Sequence, residues 1–402
     1  MDLLDDDADT GTVSYRPIGV KDLLIAMKDS SELIVDLAYS ALLHNSENLA
    51  EEVIQLEKQM DILQMQARMN MLMAARKPDD ARQLAPVLGI IGAAEKISEA
   101  AGDIAGIVLG EEGLPASIHA AIPEAIEFLE RATVAPDSVY AGQTLGEIDL
   151  ETETGVRVIA IRGDEGWILN PDNETELSVG DVILLRGVED NVVEVYEKAS
   201  CNEYEYPRTA ETDITDLERA VDTIVLMKNV SELAVDLAYA SVLSDDEDLA
   251  AEVQSLEVEV DGLHARLEAW TLQAAKDVED PVSLRGLLRL ASSSEVISDA
   301  ALEITEGILR DIDTHPVIAE SVRESDVAVR RVEIASGSEF DGATIEALVD
   351  TTPGISIIAV RQSDDEWLFY PDSEDTITAG DVLIARGTWN ATEKLLETAR
   401  QQ

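Results

Sequence analysis

Acidic side chains recur at helical spacing along this chain, and the chemistry they suggest is oxygen-only coordination of a hard cation. Glu32 and Asp36 stand one helical turn apart, and Glu95, Glu99 and Asp103 extend over two turns. At an offset of 200 residues the spacing returns as Glu232 and Asp236 and as Glu295, Asp299 and Glu303. Asp and Glu exchange between the copies while the acid is kept. Carboxylates four apart share a helix face and repel by about 0.2–0.5 kcal/mol per pair. Crowding them raises their pKa unless a cation answers them. Such donors favour Mg, Ca, Mn or Fe over a sulfur-rich zinc site. An acidic solvated face explains the same rows, and the sequence leaves both readings open. Lys96 lies on the strip in the first copy and Val296 replaces it in the second, so the second row is expected to hold a divalent cation more tightly.

The rows need long helices to carry them, and the composition supplies these. Residues 19–44 and 47–77 are rich in Leu, Ala, Met and Glu and nearly free of Gly and Pro. Ser46 is a candidate N-cap for the second helix. A third helix is expected over 81–110 and a short fourth over 116–131. The second copy gives helices near 213–243, 247–277, 282–310 and 316–324. Helix one is apolar around almost its whole circumference, leaving Asp29, Glu32, Asp36 and Ser40 as a narrow polar strip, so that strip should face protein or a groove. Long helices joined by short turns imply an antiparallel bundle. The row Gly102, Gly106 and Gly110 suggests close helix packing.

From about residue 133 the period changes from 3.6 to 2. Val156–Ile161 and Val182–Leu185 read as short strands, Gly180-Asp181 as a turn, and 189–198 as a closing helix. Their counterparts are Ile355–Val360, Val382–Ala385 and 388–400. Trp167 and Trp367 read as packing residues. The fold class is therefore α+β and multidomain, with antiparallel helical bundles alternating with small α+β modules, duplicated at the 200-residue offset. The expected boundaries are an acidic tail over 1–14, a bundle over 15–131, a module over 132–198, a linker over 199–212, a second bundle over 213–325 and a second module over 326–402.

Charge narrows the function. The 402 residues include 83 acidic and 29 basic ones, for a net charge of −54. That field repels nucleic acid and anionic membranes. Because the acid is spread over a chain that is 46% hydrophobic, it reads as adaptation to high salt, where the Debye length falls to about 3 Å. The single cysteine, Cys201, suits a reducing interior. Met1–Asp7 lacks the basic start and apolar run of a secretory leader, and Val87–Leu109 is interrupted by Glu95, Lys96, Glu99 and Asp103. A cytoplasmic protein without membrane insertion is expected.

Glu32-x-x-x-Asp36, Glu95-x-x-x-Glu99-x-x-x-Asp103 and their second copies resemble the motifs of the PhoU family, whose helical bundles bind metal clusters through such carboxylates. Here acid stands at 103 and 303, where that family often has Asn. Gly142–Leu145, Gly155–Arg162, Trp167, Pro171 and Gly180–Gly187, with Gly342–Ile345, Gly354–Arg361, Trp367, Pro371 and Gly380–Gly387, resemble the TrkA-C module of potassium-conductance regulators. The resemblance implies modules that pair, within a chain or across a homodimer, and bind small effectors such as cyclic di-AMP. It puts Arg162, Asn170, Pro171, Arg361, Tyr370 and Pro371 at the ligand; pairing of the arginines with local acids is the competing reading.

No G-x-G-x-x-G follows a strand, and neither a P-loop nor a nucleophile elbow is present. His44, His119, His264 and His315 have no counterparts at the offset. The expectation is a non-enzymatic regulator of potassium transport that senses an ion or small ligand and couples to a membrane channel or transporter subunit. A PhoU-like regulator of phosphate uptake is the alternative. A carboxylate-metal hydrolase is disfavoured, since no His, Lys or Ser base accompanies the acids.

Overall fold

The computed structural model describes residues 19–74, 77–110, 128–150, 154–164, 166–169, 171–204, 215–275, 281–309, 327–363 and 366–400. Helices α1 (Val20–His44), α2 (Glu47–Ala74) and α3 (Pro78–Leu109) pack on one another. Their buried rows follow the helical period: Met27, Ile34 and Leu37 on α1, Val53, Leu56, Met60 and Leu63 on α2, and Ile97 and Ile104 on α3. Asn45 makes the first reversal possible by adopting a left-handed conformation, φ 50°. Ser46 then caps α2, its Oγ accepting the Leu49 N–H at 3.3 Å.

Four strands follow: β1 (Phe128–Thr133), β2 (Arg157–Gly163), β3 (Gly166–Leu169) and β4 (Val182–Gly187). They form one antiparallel sheet in the order β1-β4-β2-β3. A short helix α4 (Leu145–Ile148) lies between β1 and β2, and α5 (Glu189–Ser200) closes the module. Of the expected fourth helix, 116–127 lie outside the described residues, and 128–131 belong to β1. The sheet of the module thus includes Phe128–Arg131, which the sequence places in the bundle. The module also continues past residue 198, because Tyr204 packs edge-on against Phe128 and Tyr196.

The second copy repeats the plan. Helices α6 (Thr215–Ser244), α7 (Glu247–Ala274) and α8 (Arg285–Leu309) are followed by β5 (Val327–Glu333), α9 (Ile345–Thr351), β6 (Ile355–Arg361), β7 (Trp367–Phe369), β8 (Val382–Thr388) and α10 (Trp389–Arg400). The second sheet has the order β5-β8-β6-β7. The expected tail over 1–14 and helix over 316–324 lie outside the described residues. Asp245, φ 53°, fills the left-handed position of Asn45. Among the described residues no helix is long and apolar enough to cross a membrane.

The chain divides into two compact units, Met1–Glu232 with Glu257–Ala300, and Leu233–Leu256 with Ala301–Gln402. Inside the first, Tyr39 of α1 is fully buried, and its hydroxyl meets Ser294 Oγ at 2.6 Å and Ser231 Oγ at 3.3 Å. Burial pushes the pKa of that phenol up to about 12.

Two glycine pairs shape the modules. Gly180 and Gly380, both φ 94°, turn the chain into β4 and β8. The Asp that follows each is buried and accepts the backbone N–H of Ser178 or Thr378 at 2.7 Å. Gly187 and Gly387 admit the carbonyls of Gly155 and Gly354, and a Cβ at position 187 would stand 3.1 Å from that oxygen.

Candidate functional site

Strand register decides which residues of the first module face where. Residues directly opposite in a sheet share a face. Arg131 lies opposite Leu184, Leu129 opposite Arg186, and Arg162 opposite Val182. One face thus carries Arg131, Arg162 and Arg186 among Leu129, Leu184 and Ala160, all three of which are buried. The other face, with Phe128, Ala132, Val158, Ile161, Ile183 and Leu185, forms the module's own core with Val192 and Val195 of α5.

The arginine face is turned to the helices. Glu52 of α2 retains 2% exposure of its side chain and receives two guanidinium groups. Arg162 donates from Nε to Oε2 at 2.7 Å and from Nη2 to Oε1 at 2.6 Å, while Arg131 Nε approaches Oε1 at 2.8 Å. Such side-on pairing suits the planar fork of arginine. The Arg162 guanidinium also lies 5.8 Å from the centre of the Trp167 ring. Beside the clamp, Arg186 pairs with Asp36 of α1.

The second module does the same with its own residues. Arg331 Nε donates to Glu252 Oε1 at 2.8 Å; Arg361 donates to the same carboxylate at 2.7 Å from Nη2 and 3.1 Å from Nε. Glu252 is 5% exposed at its side chain. Arg330 adds a contact to Asp246 at 3.9 Å.

Of the residues expected at a ligand, Arg162 and Arg361 are thus engaged by Glu52 and Glu252. Pro171, Tyr370 and Pro371 follow the edge strands β3 and β7, and Tyr370 is 59% exposed. Asn170 lies outside the described residues. Trp167 is buried, and Trp367 stacks on Phe369 at 5.8 Å.

The carboxylate rows separate into two settings. Glu32 and Asp36 on α1 are partly buried and answered within the chain, Glu32 by Lys28 and Asp36 by Arg186. Glu232 likewise receives Lys228 at 2.7 Å, and Asp236 lies on the same helix, partly buried. The α3 row has different company. Glu57 of α2 is raised in pKa by burial and then by the carboxylates of Asp61, Asp103 and Glu99; Asp61 is raised by burial and by Glu95. In the second copy burial and then Asp261, Asp299 and Glu295 raise Glu257. Two helices therefore line an acidic groove in each copy. Glu303 lies farther along α8, partly buried.

Partners for the row also come from neighbouring helices. Glu95 pairs with Arg68 at 2.9 Å and Glu295 with His264 Nδ1 at 2.7 Å. Asp103 meets Arg289 at 2.6 Å. Gly102 and Gly106 leave room for the Glu57 carboxylate and the Arg289 guanidinium of neighbouring helices. The donor chemistry of the groove suits a hard cation. Among the described residues, however, no three His, Cys, Asp or Glu side chains stand close enough together to hold one.

Sequence reasoning missed Glu52, Arg131 and the pair Glu57 and Asp61. All four were marked by the duplication, as Glu252, Arg331, Glu257 and Asp261 at the same offset.

Comparison with known proteins matches these regions by family. The TrkA-C domain model covers residues 129–200 and 329–400, and the PhoU domain model covers 24–108 and 224–308. Among solved structures, PhoU from Pseudomonas aeruginosa is 14% identical, covering 76% of this chain and 96% of that one at a TM-score of 0.43. The GsuK RCK domain is 14% identical, with 68% and 64% covered and a TM-score of 0.18. The GsuK channel is also 14% identical, with 85% and 65% covered and a TM-score of 0.20. A search of curated proteins found no match. The domain identities rest on the family models: the chain is a tandem duplication in which a PhoU domain is followed, twice, by a TrkA-C domain.

Proposed function

We propose that this chain is a non-catalytic regulator of potassium transport, in which the TrkA-C modules sense an ion or small ligand and the bundles carry the response to a membrane channel or transporter subunit. The domain order carries this reading: each TrkA-C module follows a bundle and is fastened to it through a buried carboxylate. A ligand that favours one arrangement of module and bundle shifts the population between arrangements, and no bond need be made or broken. Cyclic di-AMP and potassium are the effectors to try first. One sheet face packs on its own core and the other on the helices, so pairing of modules, within the chain or across a homodimer, is left to strand edges and loops. The carboxylate grooves are a second sensing element, which a divalent cation would relieve by drawing their acids together. The cytoplasmic side of a membrane is the place for such a protein.

The test is recovery of the full chain with its partners from native membranes in molar KCl, joined to thermal shift of the full chain against potassium, cyclic di-AMP and nucleotides. A potassium transport subunit in the complex and a shift with one of these effectors are expected. A phosphate-uptake or phosphate-signalling partner in its place would favour the alternative.

A further inference from the structure

The two clamps form where helix and sheet meet, and each is built from one glutamate and two arginines at the same offset. Glu52 binds arginines from β1 and β2, strands that are separated in the sheet by β4. Glu252 binds arginines from β5 and β6, with β8 between them. One carboxylate therefore ties together two strands that are not neighbours in the sheet. Surrounding residues have changed freely: Glu51 becomes Ala251, Thr133 becomes Glu333 and Glu130 becomes Arg330.

A buried ion pair contributes little net stability compared with apolar packing, because its charges must be stripped of water. What it fixes is geometry, since a displaced partner leaves a charge buried and unanswered. Two arginines on one carboxylate also leave a surplus positive charge in a chain of net charge −54, so the acidic surround favours the docked guanidinium groups.

We propose that Glu52 with Arg131 and Arg162, and Glu252 with Arg331 and Arg361, are coupling latches that hold each sheet on its bundle and transmit a change in one to the other. Opening a latch frees the arginine face of the sheet as a body and leaves the module's core intact. The inference concerns how the domains are joined, and it holds whatever the modules sense.

Adjacent residues on β4 allow undocking to be told from unfolding. Leu184 faces the helices and Ile183 the module's core, and both have 0% exposure. On β8, Ile384 faces the helices and Leu383 the module's core, both again with 0% exposure. In a full-length Cys201→Ser background, Leu184→Cys and Ile183→Cys report thiol labelling separately. With Glu52→Gln, labelling at Leu184→Cys is expected to accelerate by at least about tenfold, the scale of a buried charge losing its partner, with Ile183→Cys unchanged. Glu252→Gln is expected to act on Ile384→Cys and not on Leu383→Cys. Unchanged labelling at the helix-facing positions would overturn the proposal. So would parallel acceleration at both positions of a strand, which would make the clamp an inseparable part of the module's fold.

Discussion

Glu52 and Glu57 lie five residues apart on the same helix and meet opposite fates. Glu52 is buried under two arginines delivered by the following domain. Glu57 faces Asp61, Glu99 and Asp103, and its carboxyl is held above its ordinary pKa. Their difference shows what a strongly acidic chain does with its scarce cations. With 29 basic residues against 83 acidic ones, the arginines of the sheets go to the joints between domains. Along the α3 row the answer is partial: Glu95 and Asp103 meet Arg68 and Arg289, yet burial and the neighbouring carboxylates still hold Glu57 above its ordinary pKa.

Substitution of the two residues is the sharpest way to break this comparison. Glu52→Gln is expected to weaken the docking of the first module on its bundle by about 1–3 kcal/mol, because two partly buried guanidinium groups lose their carboxylate. Because Glu52 is buried, most of that loss should persist from 0.1 to 1 M KCl. Thermal or urea unfolding across that range measures it. Glu57→Gln is expected to have the opposite sign, stabilising by about 0.2–0.5 kcal/mol for each repulsion relieved. That gain should shrink as KCl rises, or when Mg or Mn is added. Equal salt dependence for the two variants would erase the distinction.

A smaller effect separates the modules themselves. Glu130 is buried on the core side of β1, accepts the Tyr204 hydroxyl at 2.9 Å and has no acidic counterpart at Arg330. Burial raises its pKa despite hydrogen bonds from Arg131 N–H and Tyr204. A folded-state pKa above the unfolded one means that the folded chain binds the proton more tightly, so this group's contribution to stability falls as pH rises above the ordinary carboxylate range. Glu130→Gln should therefore stabilise the chain near neutral pH, with the gain vanishing on acidification. Calorimetric melts over pH 4–8 (roughly the span between carboxylate and neutral) should show it.

The sequence made the helices and the duplication legible because long apolar periodicity survives substitution. The edge strands were hidden for a physical reason. In β1 the alternation places Phe128, Glu130 and Ala132 on one face and Leu129, Arg131 and Thr133 on the other, so each face carries a charge and the period-2 signal cancels. Glu and Leu in the same stretch read as helix. At four residues, β3 is too short to show a period. The clamps were out of reach because their partners lie 79 to 110 residues apart. The groove was half legible: the α3 row stood out, while Glu57 and Asp61 were lost among the many acids of α2.

The central claim is that ligand state in the modules reaches a potassium transporter through the bundles. Rubidium uptake by cells lacking the chain, complemented with wild type or with Glu52→Gln/Glu252→Gln, tests it directly. Wild type should restore regulated uptake, and the double variant, although present and folded, should leave uptake unregulated. Rubidium uptake that ignores the chain altogether, with phosphate uptake altered in its place, would contradict the account.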